Sequence, residues 1–444
     1  MASNIALTGL ARELAARAES GKPVRIGLVG SGEMGTDIVT RALMMDGVDV
    51  AAIAEIDVPA AHRAVDIAYR EPGHGEDVGS VGELDAAVEK GRTAITDDAE
   101  AILESDLIDV VVDATGVPAV GAEIGLRAME RGKHLVMMNV EADVTIGAYL
   151  RGEAERLGVV YSLGAGDEPS ACMELIEFVS AMGHRVVCAG KGKNNPLDFD
   201  ATPDRYAAEA EARNMNPRLL AEFVDGSKTA VEMSAIANAT GLIPDRDGMH
   251  GPAAGPKELA KVLVPERDGG VLSDIGRVDY SVGDGLSPGV FVVVEAEHPR
   301  VRERMSDLKM GEGPYYAFIR PYHLTSLEVP LTCARAVLHR QADMVPLERP
   351  VAEVCALAKR DLEPGDALDQ IGEYTYRAWA MEASRARDAG ALPAGVLTGA
   401  EVTARIGKGE LITSRNARLP DTRLVELRRR QDDMLRGEVP LDGR

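Results

Sequence analysis

The feature that most constrains the fold is a glycine-rich turn between a strand pattern and a helix pattern. Residues 24–30 form an apolar run typical of a buried parallel strand, and Gly30, Gly32 and Gly35 follow at the spacing GxGxxG. The first glycine makes a tight turn, the second admits a pyrophosphate, and the third lets the helix pack on the strand. The pattern predicts a Rossmann-type parallel sheet that binds a dinucleotide, the alternative being a turn without a ligand.

The helix after this turn begins with Glu33 and Met34, whose backbone N–H groups we expect to join the glycines in binding phosphates. A second strand pattern ends in Glu55, about 20 residues after the last glycine, where an acidic residue binds the ribose 2′-hydroxyl. A carboxylate there repels the 2′-phosphate of NADP, so of the two cofactors NAD is favoured. The alternative is that Glu55 is a solvated strand end.

Two later strand patterns, within 108–121 and 133–144, carry polar residues that we expect beside the nicotinamide, because parallel sheets bind ligands at the carboxyl ends of their strands. These polar residues are Asp113, Thr115, Gly116 and Asn139. For Asp113 and Asn139 a capping role is an equally good interpretation.

Length and charge narrow the class of protein. A chain of 444 residues predicts two or three domains, and a formal net charge of −23 argues against binding to nucleic acid or to an anionic membrane. We see no apolar run long enough to span a bilayer and no signal-peptide pattern. The four cysteines include no CxxC pair, which favours reduced, buried thiols in a cytoplasmic protein.

The segment 189–203, AGKGKNNPLDFDATP, concentrates hydrogen-bond donors in an otherwise acidic chain. Lysine supplies charge and asparagine both donates and accepts, so Lys191, Lys193, Asn194 and Asn195 are predicted to hold a small anionic or polyhydroxylated substrate. The alternative is a solvated surface loop. Further substrate-binding or catalytic candidates stand at element ends: Ser227, Lys228, His323, Thr325 and Ser326. For His323 a helix cap or a core hydrogen bond is the alternative.

The coarse pattern predicts three domains: a Rossmann domain over 1–165, an α+β substrate and oligomerisation domain over 166–345, and a β-rich domain over 346–444. In the second, strand patterns at 184–190, 289–298 and 314–322 predict an antiparallel sheet. In the third, residues 350–369 and 399–413 share a pattern of apolar strand, basic residue and turn, and resemble the SAF fold. The tail beyond Pro420 is predicted to be helical.

The combination of motifs resembles the deoxyxylulose-phosphate reductoisomerase-like (DRL) family, which is related to the homoserine dehydrogenases. The motifs are GSGEMGTDIV, DATGVP, GKHLVMMNVEADVTIG, YSLGAGDEPS, GKGKNNPL, DGSKT, MHGP and RPYHLTSLEVP. The resemblance implies either an NADPH-dependent reductoisomerase of isoprenoid biosynthesis or an NAD-dependent sugar-acid oxidoisomerase of the D-apionate type.

The sequence departs from the related dehydrogenases where Val140, not lysine, follows Asn139. Proton handling then falls to Lys191, Lys193 or Lys228, and Lys191 and Lys193 would also stabilise an enolate or alkoxide. The carboxylates predicted as bases, or as ligands of Mg²⁺ or Mn²⁺, are Asp167, Glu168, Glu232 and Glu328. No spacing proves a metal site.

The sequence thus predicts an NAD(P)-dependent oxidoreductase or oxidoisomerase acting on a CH–OH group of a small polyhydroxylated, phosphorylated or acidic sugar. Glu55 suits NADPH poorly and favours the oxidoisomerase over the isoprenoid enzyme. A non-enzymatic alternative is an NAD-binding sensor or scaffold. The partners expected are a small-molecule substrate and further copies of the chain, as a homodimer or homotetramer.

Overall fold

A computed structural model describes residues 6–193 and 197–437, so the predicted substrate ligands Asn194 and Asn195 lie outside the described residues. The described chain forms two compact units, and each is built from separate stretches of sequence. The first unit contains the residues up to Asp167 together with Leu324–Val345, and the second contains Glu168–His323 and Pro346–Leu435.

The elements are numbered in chain order. The strands are β1 (Val24–Val29), β2 (Val48–Ala54), β3 (Gly75–Asp77), β4 (Thr93–Thr96), β5 (Val110–Asp113), β6 (His134–Met137), β7 (Tyr161–Leu163), β8 (Arg185–Gly192), β9 (Ile243–Pro244), β10 (Arg277–Ser281), β11 (Val290–Glu295), β12 (Tyr315–Arg320), β13 (Ala352–Ala358), β14 (Tyr376–Glu382), β15 (Glu401–Val402) and β16 (Ala417–Arg418). The helices are α1 (Gly9–Glu19), α2 (Glu33–Leu43), α3 (Val58–Tyr69), α4 (Val81–Glu89), α5 (Ala99–Glu104), α6 (Pro118–Glu130), α7 (Val140–Leu157), α8 (Glu168–Ala181), α9 (Ala207–Ala212), α10 (Pro217–Val224), α11 (Ser227–Thr240), α12 (Leu259–Val262), α13 (Pro299–Asp307), α14 (Val329–His339), α15 (Ala383–Ala389) and α16 (Arg423–Arg436).

The first unit is a parallel sheet with the strand order β3-β4-β2-β1-β5-β6-β7. Its strands are almost wholly apolar because helices cover both faces of such a sheet. Ile26 and Leu28 of β1 are fully buried in a core that also contains Val329 and Cys333 of α14. The predicted Rossmann-type fold is confirmed, and α14 returns from far along the chain to complete its core.

Local interactions set two boundaries in this unit. The segment predicted as a strand over 133–144 divides into β6 and the start of α7, because Asn139 caps that helix by accepting a hydrogen bond from Ala142 N at 3.2 Å. Ser326 joins the first unit through a 2.9 Å hydrogen bond from its hydroxyl to the Asp37 carboxylate on α2.

The main sheet of the second unit has the strand order β12-β11-β8-β10-β9. β11 pairs antiparallel with β8 and β12, whereas β10 pairs parallel with β8 and β9. The antiparallel pairing predicted for these three strand segments is therefore confirmed, and the parallel pairs involve β9 and β10, which were not predicted. Parallel pairing needs a long crossover, and the chain between β8 and β10 supplies one that includes α11.

The C-terminal stretch belongs to this second unit and packs on α11. β13 and β14 form an antiparallel pair, and Asn238 of α11 accepts hydrogen bonds from Val351 N and Ala352 N, each at 2.9 Å. The strand predicted within 399–413 is reduced to the two residues of β15, while α16 confirms the predicted helical tail. Compactness does not test independent folding, so the three-domain partition stays a prediction.

Two further expectations concern the environment of the chain. Cys172, Cys188, Cys333 and Cys355 are all free and buried, as predicted. Among the described residues, no helix combines the length and the apolar character needed to cross a bilayer.

Candidate active site

The glycine-rich turn of the first unit has the geometry that a dinucleotide requires. Gly30 has a φ of +94°, and a Cβ added to it would lie 2.7 Å from the Ala114 carbonyl oxygen. A Cβ on Gly35 would lie 2.3 Å from the Gly30 carbonyl oxygen, so α2 packs tightly on the turn. A Cβ on Gly32 would meet nothing within 4 Å. The space in front of the second glycine is therefore open to a ligand.

The start of α2 is suited to bind phosphate. Gly32 precedes the helix and supplies no side-chain cap. The first backbone N–H groups of a helix lack intrahelical acceptors, so those of Glu33 and Met34 are available to an anion. Both residues were predicted from the sequence, and their position at the helix start fits a bound pyrophosphate.

Glu55 stands at the end of β2, beside the glycine-rich turn. Its carboxylate accepts hydrogen bonds from Ser31 N at 2.8 Å, from the Ser31 hydroxyl at 3.0 Å and from Asp57 N at 3.1 Å. The carboxylate is thus held in place by backbone contacts at the edge of the turn. A fixed carboxylate with further acceptor capacity suits a ribose diol.

Asp113 and Asn139 both have structural roles. Asp113 is buried, which raises the pKa of its carboxyl, and it accepts hydrogen bonds from Thr115 N and the Thr115 hydroxyl. These bonds shape the turn that leads to Gly116, whose φ is +64°. The Asn139 side-chain oxygen caps α7, while its Nδ2 is buried without a hydrogen-bond partner among the described residues. That donor fits an acceptor such as a carboxamide oxygen of the cofactor.

Lys191, on β8 of the second unit, is the centre of a buried ionic cluster. Its Nζ lies 3.0 Å from Glu168 Oε1 at the start of α8 and also contacts Glu232 Oε2 on α11. Burial opposes the charge, but attraction by Glu168 and Glu232 outweighs it and raises the pKa of Lys191 above its usual value. Lys191 is therefore a permanent cation fixed between two elements.

The pKa of Lys193 is shifted in the opposite direction to that of Lys191. Burial and the neighbouring charge of Lys191 lower the pKa of its ammonium to about 8. Its Nζ donates a hydrogen bond to Phe223 O at 2.6 Å, and its backbone N–H donates to Ser281 O at 2.7 Å. A lysine with a pKa near physiological pH exchanges protons readily, whereas an ordinary lysine does not.

Two further predicted residues adjoin this cluster. Lys228 Nζ lies 4.0 Å from Glu232 Oε1, one turn along α11. His323 Nδ1 lies 2.7 Å from the Pro288 carbonyl, which can only accept a hydrogen bond, and Nε2 lies 3.6 Å from Glu168 Oε2. The imidazole nitrogen and the carboxylate oxygen form a pair of donor atoms that suits a proton or a divalent cation.

Four other predicted residues have the following places in the structure. Glu328 belongs to the first unit, where its carboxylate accepts a 3.1 Å hydrogen bond from Leu324 N. Thr325 and Asp167 also belong to the first unit. The Ser227 hydroxyl accepts a 2.8 Å hydrogen bond from Ala378 N, so it anchors the C-terminal stretch. The substrate or metal role of these residues stays a prediction.

Sequence reasoning missed several buried charged residues of the second unit, three of which are Lys359, Asp225 and Arg377. Lys359 Nζ lies 2.6 Å from Asp225 Oδ2, and Asp225 Oδ1 accepts a hydrogen bond from Ser227 N at 2.8 Å. Arg377 is the third. Lys359 and Arg377 each stand within or directly after an apolar strand, and this is the only sequence signal that pointed to them.

The class of protein follows from two family matches. Residues 30–163 match the NAD-binding domain of homoserine dehydrogenase, and residues 166–329 match the catalytic domain of the oxidoreductase DRL. The chain thus joins a dinucleotide-binding domain to an oxidoreductase domain and falls in the class of NAD(P)-dependent oxidoreductases. The match of residues 166–329 agrees with the resemblance that the motifs predicted. The matched ranges end at residue 329, so the SAF resemblance stays a prediction.

Curated relatives match only part of the chain. A 1-deoxy-D-xylulose 5-phosphate reductoisomerase of Cereibacter sphaeroides is 26% identical over 181 residues, which are 39% of this chain and 45% of that protein. A homoserine dehydrogenase of Methylobacillus glycogenes is 33% identical over 118 residues, 27% of this chain and 25% of that protein. The chain thus covers less than half the length of each relative.

Solved structures are similar to this chain at lower sequence identity. The scyllo-inositol dehydrogenase of Lactobacillus casei with bound NAD(H) and scyllo-inositol has a TM-score of 0.41 at 13% identity, covering 72% of this chain and 91% of that one. A myo-inositol dehydrogenase of Corynebacterium glutamicum has a TM-score of 0.31 at 14% identity, covering 62% and 65%. TM-scores this low define no common architecture for whole chains.

Proposed function

We propose that the protein is an NAD-dependent oxidoisomerase that oxidises or reduces a CH–OH group of a small acidic or phosphorylated sugar. The proposal rests on two lysines at the end of β8 whose pKa values are shifted in opposite directions. Lys191 is held permanently charged, whereas the pKa of Lys193 is lowered to about 8. In carbinol oxidation a titratable amine can act as the general base, and a fixed cation can stabilise the charge on the oxygen.

The roles follow from these properties. When bound, the nicotinamide accepts or supplies the hydride. Lys193 in its neutral form takes the proton of the reacting hydroxyl, so that a carbonyl forms as the hydride leaves the carbon. Lys191 stabilises the negative charge on the oxygen, and in an oxidoisomerase it would do the same for the enolate formed as the carbon skeleton rearranges. Glu168 and Glu232 keep Lys191 in place for this task.

A divalent cation would find its ligands in this unit at Glu168 and His323. Their carboxylate oxygen and imidazole nitrogen lie 3.6 Å apart. The carboxylate suits Mg²⁺ or Mn²⁺, whereas an imidazole ligand favours a transition metal over Mg²⁺. Such an ion would add to the positive charge that Lys191 presents to the reacting oxygen.

Glu55 supports NAD as the cofactor. Its carboxylate is fixed at the edge of the glycine-rich turn by Ser31 and Asp57. A ribose hydroxyl can donate to this carboxylate, whereas a 2′-phosphate meets like charge. This preference also separates the proposal from the NADPH-dependent reductoisomerase of isoprenoid biosynthesis, which the resemblance offers as the alternative substrate class.

The test is a substrate screen read by nicotinamide absorbance. Branched sugar acids and phosphorylated ketoses are supplied with NAD(H) and with NADP(H), and Lys191→Met serves as the matched inactive variant. We expect turnover of one anionic sugar with NAD(H) that Lys191→Met loses, because the fixed cation is gone. Turnover of deoxyxylulose phosphate with NADPH would support the reductoisomerase instead. Turnover that survives in Lys191→Met would contradict the proposed role of the cluster.

A further inference from the structure

The second unit contains a buried cation that the proposed mechanism does not use. Arg377 lies on β14, and only 9% of its surface is exposed. The guanidinium carbon lies 4.0 Å from the centroid of the Phe199 ring and 4.5 Å from that of the Trp379 ring. The two rings are nearly perpendicular, at 82°, with centroids 6.4 Å apart. Aromatic rings therefore flank the guanidinium on two sides.

The Arg377 guanidinium has no hydrogen bond and no ion pair with any residue in the described part of the chain. Burial lowers the pKa of Arg377, and Asp225 and Asp200 offset this only at longer range. Both of these carboxylates already have partners: Asp225 is paired with Lys359 at 2.6 Å and Asp200 with Lys408 at 2.7 Å. An arginine has five N–H donors, and the guanidinium nitrogens of Arg377 are not among the fully buried atoms, so they reach solvent and are open to a ligand. The N–H edge of Arg377 is thus a donor set without an acceptor in residues 6–193 and 197–437.

The position of the rings is fixed by the backbone around them. Gly248 N donates to Ala380 O at 2.8 Å, and a Cβ on Gly248 would lie 2.0 Å from the Trp379 ring. Arg377 and Trp379 are two residues apart on one strand, so they project from the same face. The cation and its aromatic neighbour are therefore held in place before any ligand binds.

Arg377 is also close to the start of α11. The next residue, Ala378, donates its N–H to the Ser227 hydroxyl at 2.8 Å. Phe199 approaches the same helix start, 3.9 Å from a Cβ placed on Gly226. α11 carries Lys228 and Glu232 of the ionic cluster, so Arg377 lies at the same end of this helix as the proposed catalytic groups.

We propose that Arg377 is an anion-binding subsite that takes the carboxylate or the phosphate of the substrate. Aromatic contacts cover the flanks of a guanidinium and leave its planar N–H edge, which matches two oxygens of a carboxylate or a phosphate. The subsite deepens the proposed function by requiring an anionic sugar. The subsite depends on the proposed function in one respect: that function identifies the bound anion as part of the substrate.

The first test uses three probes that share one carbon skeleton: glycerate, glycerol 3-phosphate and glycerol. Trp379 is the only tryptophan of the chain and contacts Arg377, so its fluorescence reports binding directly. At constant ionic strength, maintained with chloride, we expect a saturable change with at least one of the two anions and none with glycerol. The anion that binds more tightly identifies the source as carboxylate or phosphate. An equal response to glycerol would overturn the proposal.

The second test uses Arg377→Met, which keeps the stem and removes the charge, with Arg405→Ala as the matched control for a lost arginine. Arg405 is exposed and lies in the same unit. Arg377→Met should weaken anion binding at least ~10-fold, while Arg405→Ala leaves it unchanged. Without a ligand, Arg377→Met should melt at the same or a higher temperature than the wild type, because an unpaired buried charge is destabilising. Unchanged anion affinity in Arg377→Met would overturn the proposal.

Arg377→Lys covers the case in which Arg377→Met does not fold. It keeps the charge and loses the planar fork, so anion affinity should fall several-fold, and an unchanged affinity would again overturn the proposal. The outcomes also separate this proposal from the proposed function. Anion binding that needs Arg377, without turnover of any sugar, contradicts the enzyme function and leaves the subsite intact. Turnover of an anionic sugar that Arg377→Met does not affect contradicts the subsite alone.

Discussion

Lys193 offers a quantitative test of the site, because burial and the charge of Lys191 lower its pKa from 10.5 to about 8. The unfolded chain then binds more protons than the folded chain between these two values, so the stability of the protein rises with pH in that interval. A difference of two and a half pKa units corresponds to about 3 kcal/mol. Lys193→Met removes this group, and with it the pH dependence.

The measurement is urea unfolding, followed by the fluorescence of Trp379, which lies in the same unit as Lys193. We expect the stability of the wild type, minus that of Lys193→Met, to increase by about 3 kcal/mol between pH 8 and pH 10.5. Subtracting the variant cancels the groups that titrate independently of Lys193. Lys257→Met, which removes an exposed ammonium from the same unit, is the matched control.

A difference curve that stays flat from below pH 8 to pH 10.5 would refute the reasoning, since Lys193 would then titrate alike in the folded and unfolded chains. The same group should appear in catalysis. The rate of carbinol oxidation should rise with an apparent pKa near 8, because only the neutral amine accepts a proton. Lys193→Met should lose turnover while retaining NAD affinity.

Three further predictions concern other charges. The wild type should prefer NAD(H) over NADP(H) at least ~10-fold in kcat/KM, and Glu55→Gln should narrow that preference, since the repelling charge is gone. Asp143→Asn should stabilise the first unit in thermal melts by up to about 3 kcal/mol near pH 7 and should not stabilise it near pH 4. The reason is that burial raises the pKa of Asp143 to about 6, so the wild type loses stability as the pH rises through that value. Lys359→Met should destabilise the second unit by about 3–5 kcal/mol in urea unfolding, because it leaves the Asp225 carboxylate buried and unpaired.

Each of these three predictions would be contradicted by a specific result. Equal NAD and NADP efficiencies in the wild type would remove the argument from Glu55. A gain for Asp143→Asn that is the same at both pH values would point to packing, since the Tyr161 hydroxyl bonds the carboxylate at 2.6 Å and can bond an amide as well. For Lys359→Met, the double variant with Asp225→Asn should recover most of the lost stability, and no recovery would argue against the pair.

The first unit could be predicted from sequence because its signals are local. A buried strand, three spaced glycines and a helix lie within about 20 residues, and Glu55 follows at a distance that the fold fixes. The lysines of the ionic cluster could also be predicted, since Lys191 and Lys193 are chemically conspicuous in an acidic chain. Their contrasting pKa values could not, because that of Lys191 depends on Glu168 and Glu232, which lie far from it in sequence, and that of Lys193 depends first on burial.

The C-terminal stretch could not be assigned to the second unit from sequence. Its contacts are made by single side chains, such as Asn238 and Lys359, whose partners are remote and which carry no motif. Arg377 was missed for a related reason. A basic residue in a short strand normally marks a solvent-facing position, and burial beside two aromatic rings appears only once the chain is folded.

The interleaved units have a consequence for synthesis on the ribosome. The core of the first unit needs Val329 and Cys333 of α14, and the second unit needs the stretch that follows Pro346. A nascent chain of about 170 residues would therefore expose the apolar surface that α14 covers, whereas most chains complete an N-terminal domain as it emerges. Neither unit can finish folding until most of the mRNA has been translated. We expect premature termination upstream of α14 to yield an aggregation-prone fragment that chaperones must hold.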